Sequence, residues 1–223
     1  MLTRRPPAPP ANLRDMKLEN VMLCAEDPHA VKLVDFGLAV QVPQNADGSL
    51  QATLFYDRVG AKSYRAPEIL ANAGYLGPPV DVWALGITIF SLVSGFFPLD
   101  EARASDWRFA RLAQDQQRGV GPCDSIYAMY KRACPFTPEL KELLNAMLTI
   151  DPAQRVTMAQ ISAHRFFVTK EVRRRPTPRR HHATAGRVRP PPPGAIRVAK
   201  SSSTPACDAL RANVHPRRHS NHA

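Results

Sequence analysis

The stretch Arg-Asp-Met-Lys-Leu-Glu-Asn at residues 14–20, followed by Val-Asp-Phe-Gly at residues 34–37, decides how this chain folds. Between them lie two short apolar runs, residues 21–24 and 31–34, separated by the turn-forming Asp-Pro-His at residues 27–29. Apolar runs of this length on either side of turn residues are typical of a hairpin. We therefore expect a small β-hairpin that holds the two polar segments side by side.

A third polar segment, Ala-Pro-Glu at residues 66–68, follows in the same chain. A single Asp or Asn in a loop is usually a turn former. The three segments together, however, resemble the catalytic loop, the metal-binding turn and the end of the activation segment of a protein kinase. Those parts have the patterns R-D-x-K-x-x-N, D-F-G and A-P-E, and the order and spacing here match the family.

The resemblance extends over about residues 13 to 168. Residues 81–86 resemble the family pattern D-x-W-x-x-G, residues 151–155 resemble D-P-x-x-R, and residues 164–167 resemble the usual end of the domain. Lys17 resembles the lysine that serine/threonine kinases have two residues after the catalytic Asp, where tyrosine kinases usually have other residues. The chain is thus identified as similar to a eukaryotic-type serine/threonine kinase of calcium/calmodulin-dependent or Snf1-like pattern.

The resemblance implies a reactive role for four residues. Asp15 would accept the proton of the substrate hydroxyl, and Lys17 would contact the transferring phosphate of ATP. Asn20 and Asp35 would hold Mg²⁺ through oxygen ligands. ATP and Mg²⁺ are therefore the expected cofactors and a protein the expected substrate, and Glu19 suggests basic residues near the acceptor.

Other matched residues are expected to support the site rather than to react. Asp81 would brace the catalytic loop from a buried helix, and Arg155 would pair with Glu68 at the end of the activation segment. The supporting set is Arg14, Phe36, Gly37, Glu68, Asp81 and Arg155.

Control by phosphorylation is also implied, because Arg14 directly precedes the expected base and can pair with a phosphate. Residues 38–63 lack periodicity and are rich in turn formers, so they are expected to be a long loop. Its candidate phosphorylation sites are Ser49 and Thr53.

The sequence departs from the family at three points. Leu13 stands where the family has His, and Ala61 stands where serine/threonine kinases have a Thr whose hydroxyl contacts the base. Nothing before Leu13 resembles a Gly-rich phosphate loop or a V-A-I-K lysine. We therefore expect a kinase fragment without its N-terminal lobe, with Mg-ATP binding and phosphotransfer far below those of a complete kinase.

The expected fold is mainly α: a kinase C-terminal lobe with the small hairpin and disordered flanks. A Pro-rich leader is predicted at residues 1–11, a partial kinase domain at residues 12–169, and a basic, Pro/Arg-rich disordered tail at residues 170–223.

Helical patterns follow the third polar segment. Pro67 opens a short helix, Asp81 is placed to cap the apolar helix that follows, Thr137 precedes a further helix, and residues 157–164 form the last. Residues 82–99 form an uncharged stretch that is long enough for a membrane span. Because this stretch contains glycine, serine and proline, we interpret it as a buried core helix and expect no membrane span.

Charge is unevenly distributed along the 223 residues. The formal net charge is +11, and residues 173–223 alone contain twelve Lys and Arg against one acid, Asp208. Such a tail suits nucleic acid or an anionic surface, and the alternative is a solvated extension. The four cysteines match neither a zinc pair nor a disulfide framework, so we expect an intracellular protein of the cytoplasm or nucleus.

Two other functions stay open at this point. One is a catalytically inactive, pseudokinase-like scaffold or docking module, which the departures at Leu13 and Ala61 would suit. The other is a basic nucleic-acid-binding protein, which rests on the tail alone. The sequence does not predict an oligomeric state.

Overall fold

The computed structural model describes residues 11–25, 27, 29–47, 51–71 and 73–167. This part of the chain is mainly helical with short strands, as the sequence predicted. The predicted leader, apart from Ala11, lies outside the described residues, and so do the tail at 170–223 and Ser49.

Short strands pair into three antiparallel, two-stranded sheets in the described residues. They are β1 (Ala11–Asn12) with β4 (Val40–Gln41), β2 (Val21–Leu23) with β3 (Val31–Leu33), and β5 (Leu54–Phe55) with β6 (Tyr75–Leu76). In the second sheet Val21 lies opposite Leu33, and just beyond it the Val34 backbone N–H donates to the Asn20 carbonyl at 3.0 Å. The hairpin therefore ties the first polar segment to the second.

Helices form most of the remaining structure. They are α1 (Pro67–Leu70), α2 (Gly77–Ser94), α3 (Trp107–Gln117), α4 (Pro122–Met129), α5 (Pro138–Met147) and α6 (Met158–Ser162), with short 3₁₀ helices at Leu18–Asn20 and Lys62–Tyr64. Thr137 caps α5 by accepting from the Leu140 N–H, and Thr157 forms a capping box with Gln160 at α6. Helix α6 ends at Ser162, two residues earlier than predicted.

Helix α2 is the centre of the core. Trp83, Ile87 and Phe90 are fully buried on it, and it packs against α5. The expectation that Asp81 caps this helix is wrong, because α2 begins at Gly77 and Asp81 lies inside it. The helix starts earlier because prolines occupy its first turn, where a backbone N–H would have no helical partner. The Asp81 carboxylate is thus free to bind another segment.

By length and composition, α2 is also the one helix of the described residues that could cross a membrane. More than half of its residues are buried within the fold. It buries Thr88 and Ser91 as well as apolar residues, and Asp81 on its first turns binds the chain around Leu13. These features fit the predicted core helix.

The described residues between the hairpin and α1 contain strands that the sequence did not predict. This segment was expected to be a long loop, but it contains β4 and β5, whose partners β1 and β6 lie far away along the chain. Two-residue strands are too short to show alternation in the sequence, so this pairing was not predictable from local pattern.

Candidate active site

A single carboxylate on α2 holds the first polar segment in place. The backbone N–H groups of Leu13 and Arg14 donate to Asp81 Oδ2 and Oδ1, each at 2.7 Å. Burial raises the pKa of Asp81, and the two backbone donors oppose that rise. The predicted bracing role of Asp81 therefore has a direct geometric basis in these two hydrogen bonds.

The backbone is strained at both polar segments. Arg14 and Asp35 each have φ of 60°, and they are two of the three non-glycine residues with positive φ in the described part of the chain. A non-glycine residue in the left-handed region costs about 1–3 kcal/mol, and such residues concentrate at functional sites. The strain thus marks the segments that the sequence singled out.

Asp15 is fixed through both carboxylate oxygens. Oδ2 accepts from Lys17 Nζ at 2.6 Å, and Oδ1 accepts from the Ala61 backbone N–H at 3.1 Å. The hydrogen bond to Asp15 raises the pKa of Lys17, so Lys17 is an ammonium group at neutral pH. Although Ala61 has no hydroxyl, its backbone supplies a donor to Asp15.

Asn20 and Asp35 meet Asp15 at one small cavity. These three residues, with Leu33 and Phe36 among others, line a space of about 10 Å³, which is room for one water or ion. The Asn20 side-chain nitrogen donates to the Asp15 carbonyl at 3.0 Å, so the amide is held by that end. Asp35 Oδ1 accepts from the Gly37 N–H at 3.2 Å.

The side-chain oxygens of Asn20 and Asp35 suit Mg²⁺, which needs few protein ligands, better than a metal ion that the protein must bind by itself. No group of three or more His, Cys, Asp and Glu side chains that could hold a metal occurs in the described residues. Mg²⁺ is usually held by one or two carboxylates together with substrate phosphates and water. Asp35, with the amide oxygen of Asn20, matches that pattern.

Gly60 lets the activation segment approach Asp15 closely. It has φ of +85°, and a Cβ there would lie 2.6 Å from the Arg14 carbonyl oxygen. No feature of the sequence marks Gly60 as part of the site, although it directly precedes Ala61.

We predict that Gly60→Ala destabilises the fold by about 2–4 kcal/mol, because a left-handed alanine and a backbone clash both cost free energy. Gly119→Ala is the matched control, since Gly119 has φ of +79° but nothing within 4 Å of its Cβ position. It should lose only about 1–2 kcal/mol. Urea unfolding of both variants measures the difference, and equal losses would contradict the close approach at Gly60.

Glu68 and Arg155 form the predicted ion pair. Arg155 Nη1 donates to Glu68 Oε1 at 2.5 Å and Nη2 donates to Oε2 at 3.0 Å. The Arg155 side chain is completely buried, and its guanidinium lies 5.1 Å from the centre of the Trp83 ring. The pair fastens the end of the activation segment to the helical body.

Arg14 is paired with a carboxylate of the activation segment. Its Nη1 contacts Asp57 Oδ2 at 2.8 Å. Thr53 instead lines a separate cavity of about 240 Å³ with residues that include Asn12 and Pro78. Asp57 was not predicted, since no pattern in its neighbourhood indicates a partner for Arg14.

Phe36 was predicted to support the site, whereas Tyr64 was not predicted. Phe36 is exposed, so it lies outside the core of the described residues. The Tyr64 hydroxyl donates to Glu19 Oε2 at 3.1 Å and accepts from the Leu18 N–H at 3.4 Å. Burial raises the pKa of Tyr64 to about 12, so it keeps its proton and can donate to Glu19.

Known proteins match the part of the chain that contains these residues. The family model described as the protein kinase domain matches residues 12–167. CBL-interacting serine/threonine-protein kinases 13 and 16 of Arabidopsis thaliana are each 33% identical to this chain over 162 residues. The alignments cover 69% of this chain but only 27% and 30% of those proteins. The chain therefore spans less than a third of the length of these relatives.

Proposed function

This chain belongs to the protein kinase family, and we propose that it is the C-terminal lobe of a serine/threonine kinase that phosphorylates protein hydroxyls. The proposal rests on one observation: Asp15, Asn20 and Asp35 line the same cavity, and Lys17 donates a hydrogen bond to Asp15. In phosphoryl transfer the protein mainly positions the nucleophile and neutralises the charge of the phosphate oxygens, and it contributes little covalent chemistry of its own. These four side chains serve both purposes.

Each residue would have a distinct role. Asp15, held at both oxygens, accepts the proton of the substrate hydroxyl. The Lys17 ammonium turns from Asp15 towards the transferring phosphate. Asn20 and Asp35 would hold Mg²⁺ through their side-chain oxygens. Protein kinases generally use ATP with Mg²⁺, and the ion supplies positive charge against the phosphate oxygens.

A covering lobe is the second part of the proposal. One face of the hairpin exposes Leu23, Val31 and Leu33, and Phe36 beside the hairpin is 58% exposed. Apolar residues exposed together mark an interaction surface, and a two-stranded hairpin has little stability of its own in water. We infer that an N-terminal lobe covers this surface and encloses ATP, and that the present chain is therefore a kinase fragment.

The narrower assignments rest on single features. Lys17 supports the serine/threonine branch, with a calcium/calmodulin-dependent or Snf1-like pattern as the finer proposal. Glu19, held by Tyr64, offers a carboxylate to a basic residue near the acceptor. Free thiols at Cys24, Cys123 and Cys134 suit an intracellular protein of the cytoplasm or nucleus. Binding of nucleic acid or an anionic surface by residues 170–223 is a proposal from charge alone.

An inactive scaffold is the second candidate function. Ala61 favours it, because the hydroxyl that contacts the base in serine/threonine kinases is absent here. Against it stands the Ala61 backbone N–H, which contacts Asp15 from the same position. A docking module would also have no need for the strained backbone at Arg14 and Asp35.

A chimera tests the proposal. The part of CBL-interacting serine/threonine-protein kinase 13 that aligns before Ala11 would be fused to Ala11 of this chain. We expect the chimera to phosphorylate serine and threonine peptides and not the matched tyrosine peptide. A chimera that unfolds cooperatively and binds Mg-ATP but transfers no phosphate would support the scaffold instead.

A further inference from the structure

The Arg14 side chain contacts Leu38, Asp57 and Phe55. Its Nε donates to the Leu38 carbonyl at 2.9 Å, and Nη1 lies 3.0 and 2.8 Å from the two carboxylate oxygens of Asp57. The guanidinium also lies 5.0 Å from the centre of the Phe55 ring. Only 10% of the Arg14 side chain is exposed, so its charge depends on the protein for a counter-ion.

Asp57 is itself held in place. The Tyr75 hydroxyl lies 2.8 Å from the Asp57 carbonyl oxygen and 3.2 Å from Oδ1. Tyr75 lies opposite Phe55 in the β5–β6 sheet, and their rings are 5.9 Å apart. The carboxylate is therefore presented to Arg14 by a small sheet rather than by a free loop.

We propose that Asp57 is a positioning residue whose carboxylate occupies the anion site of Arg14, so that the loop carrying Asp15 is set without a phosphate on the activation segment. The inference rests on the proposed kinase function. It replaces the expectation that Arg14 waits for a phosphate at Ser49 or Thr53. Carboxylate and phosphate are both partners that arginine binds through charge-assisted hydrogen bonds, so either can satisfy this guanidinium.

Only Arg14 lies between Asp57 and Asp15, because Arg14 contacts Asp57 and is the residue before Asp15. Arg14 is held in the left-handed region with φ of 60°. A change in the Arg14 side chain is therefore transmitted to the strained peptide that aims Asp15. The hydrogen bond from the Ala61 N–H to Asp15 reports on that aim without any need for phosphotransfer.

The experiment uses the chain as it is and two nuclear magnetic resonance signals. They are the Arg14 Nε–H, which donates to the Leu38 carbonyl, and the backbone N–H of Ala61, which donates to Asp15 Oδ1. In the unmodified chain we expect both protons to exchange slowly with solvent. In Asp57→Ala both should exchange about tenfold faster or more, because an open hydrogen bond no longer protects them. Asp57→Glu should restore most of the protection.

Inorganic phosphate at millimolar concentration distinguishes a built anion site from a simple structural contact. With chloride at equal ionic strength as reference, phosphate should restore slow exchange of both protons in Asp57→Ala and should leave the unmodified chain unchanged. The double variant Arg14→Gln/Asp57→Ala should not respond. If Asp57→Ala fails to fold, Asp57→Asn removes the charge and keeps the shape.

The proposal is overturned if the unmodified chain responds to phosphate as Asp57→Ala does, since Arg14 would then lack its counter-ion. Unchanged exchange of the Ala61 N–H in Asp57→Ala would also overturn it. These signals do not depend on phosphotransfer. An inactive chimera with the expected signals therefore contradicts the kinase function alone, and an active chimera without them contradicts the role of Asp57 alone.

Discussion

Replacing Asp15 by asparagine in the chimera is expected to reduce the rate of peptide phosphorylation by about 10²–10⁴-fold, which is the usual contribution of a positioned general base. Asparagine keeps the size of the side chain and an oxygen for the Ala61 N–H, but it cannot accept the hydroxyl proton. It also loses the charge that holds Lys17 at 2.6 Å. The measurement is the turnover number at saturating Mg-ATP and peptide.

Asp27→Asn is the matched control for this change. Asp27 lies in the turn of the hairpin, where its Oδ1 accepts from the His29 N–H, and asparagine can keep that contact. Its turnover should equal that of the unmodified chimera. A turnover of Asp15→Asn within about twofold of the control would show that Asp15 is not the base, since loss of a base costs far more.

Replacing Glu68 by alanine is expected to lower the free energy of unfolding by about 3–5 kcal/mol, the cost of leaving a buried charge unpaired. Arg155 uses all five of its N–H donors: two go to Glu68 and the others to the carbonyls of Thr149, Pro79 and Ile150. Without Glu68 the guanidinium keeps its burial and loses its counter-ion. Urea unfolding of the chain measures the change.

Glu142→Ala tests whether burial causes this effect. Glu142 pairs with Arg165, and both side chains are more than half exposed. Exposed pairs contribute only about 0–1 kcal/mol, so this variant should unfold close to the unmodified chain. The double variant Glu68→Leu/Arg155→Met should recover part of the loss, because it leaves no buried charge. Similar losses in Glu68→Ala and Glu142→Ala would contradict the structural role of the buried pair.

Local pattern predicted the elements that are determined by neighbouring residues. The hairpin followed from its two apolar runs and turn, and α5 followed from Thr137, Pro138 and the spacing of leucines. The pairing of Glu68 with Arg155, 87 residues apart, was predictable only because a family resemblance implied it.

Other features depend on contacts that no local pattern records. Helical pattern placed Asp81 at a helix end, and only the family resemblance implied its contact with the catalytic loop, where its carboxylate binds backbone 67 and 68 residues away. The Asp57 partner of Arg14 is fixed by the pairing of β5 with β6, whose strands of two residues carry no period. Helix α3 was not predicted either, although its cap Asp106 and the spacing of Phe109 and Leu112 are helical signals.

The most direct measurement is the rate of γ-phosphate transfer from Mg-ATP to an arginine-containing serine peptide, compared between the chain alone and the chimera. With the hairpin surface uncovered, the chain alone should transfer phosphate at a rate near background. The chimera should be faster by about 10²-fold or more, because enclosure positions ATP against Asp15. A chimera that is folded and binds Mg-ATP but is no faster than the chain alone would contradict the assignment of this site to phosphotransfer.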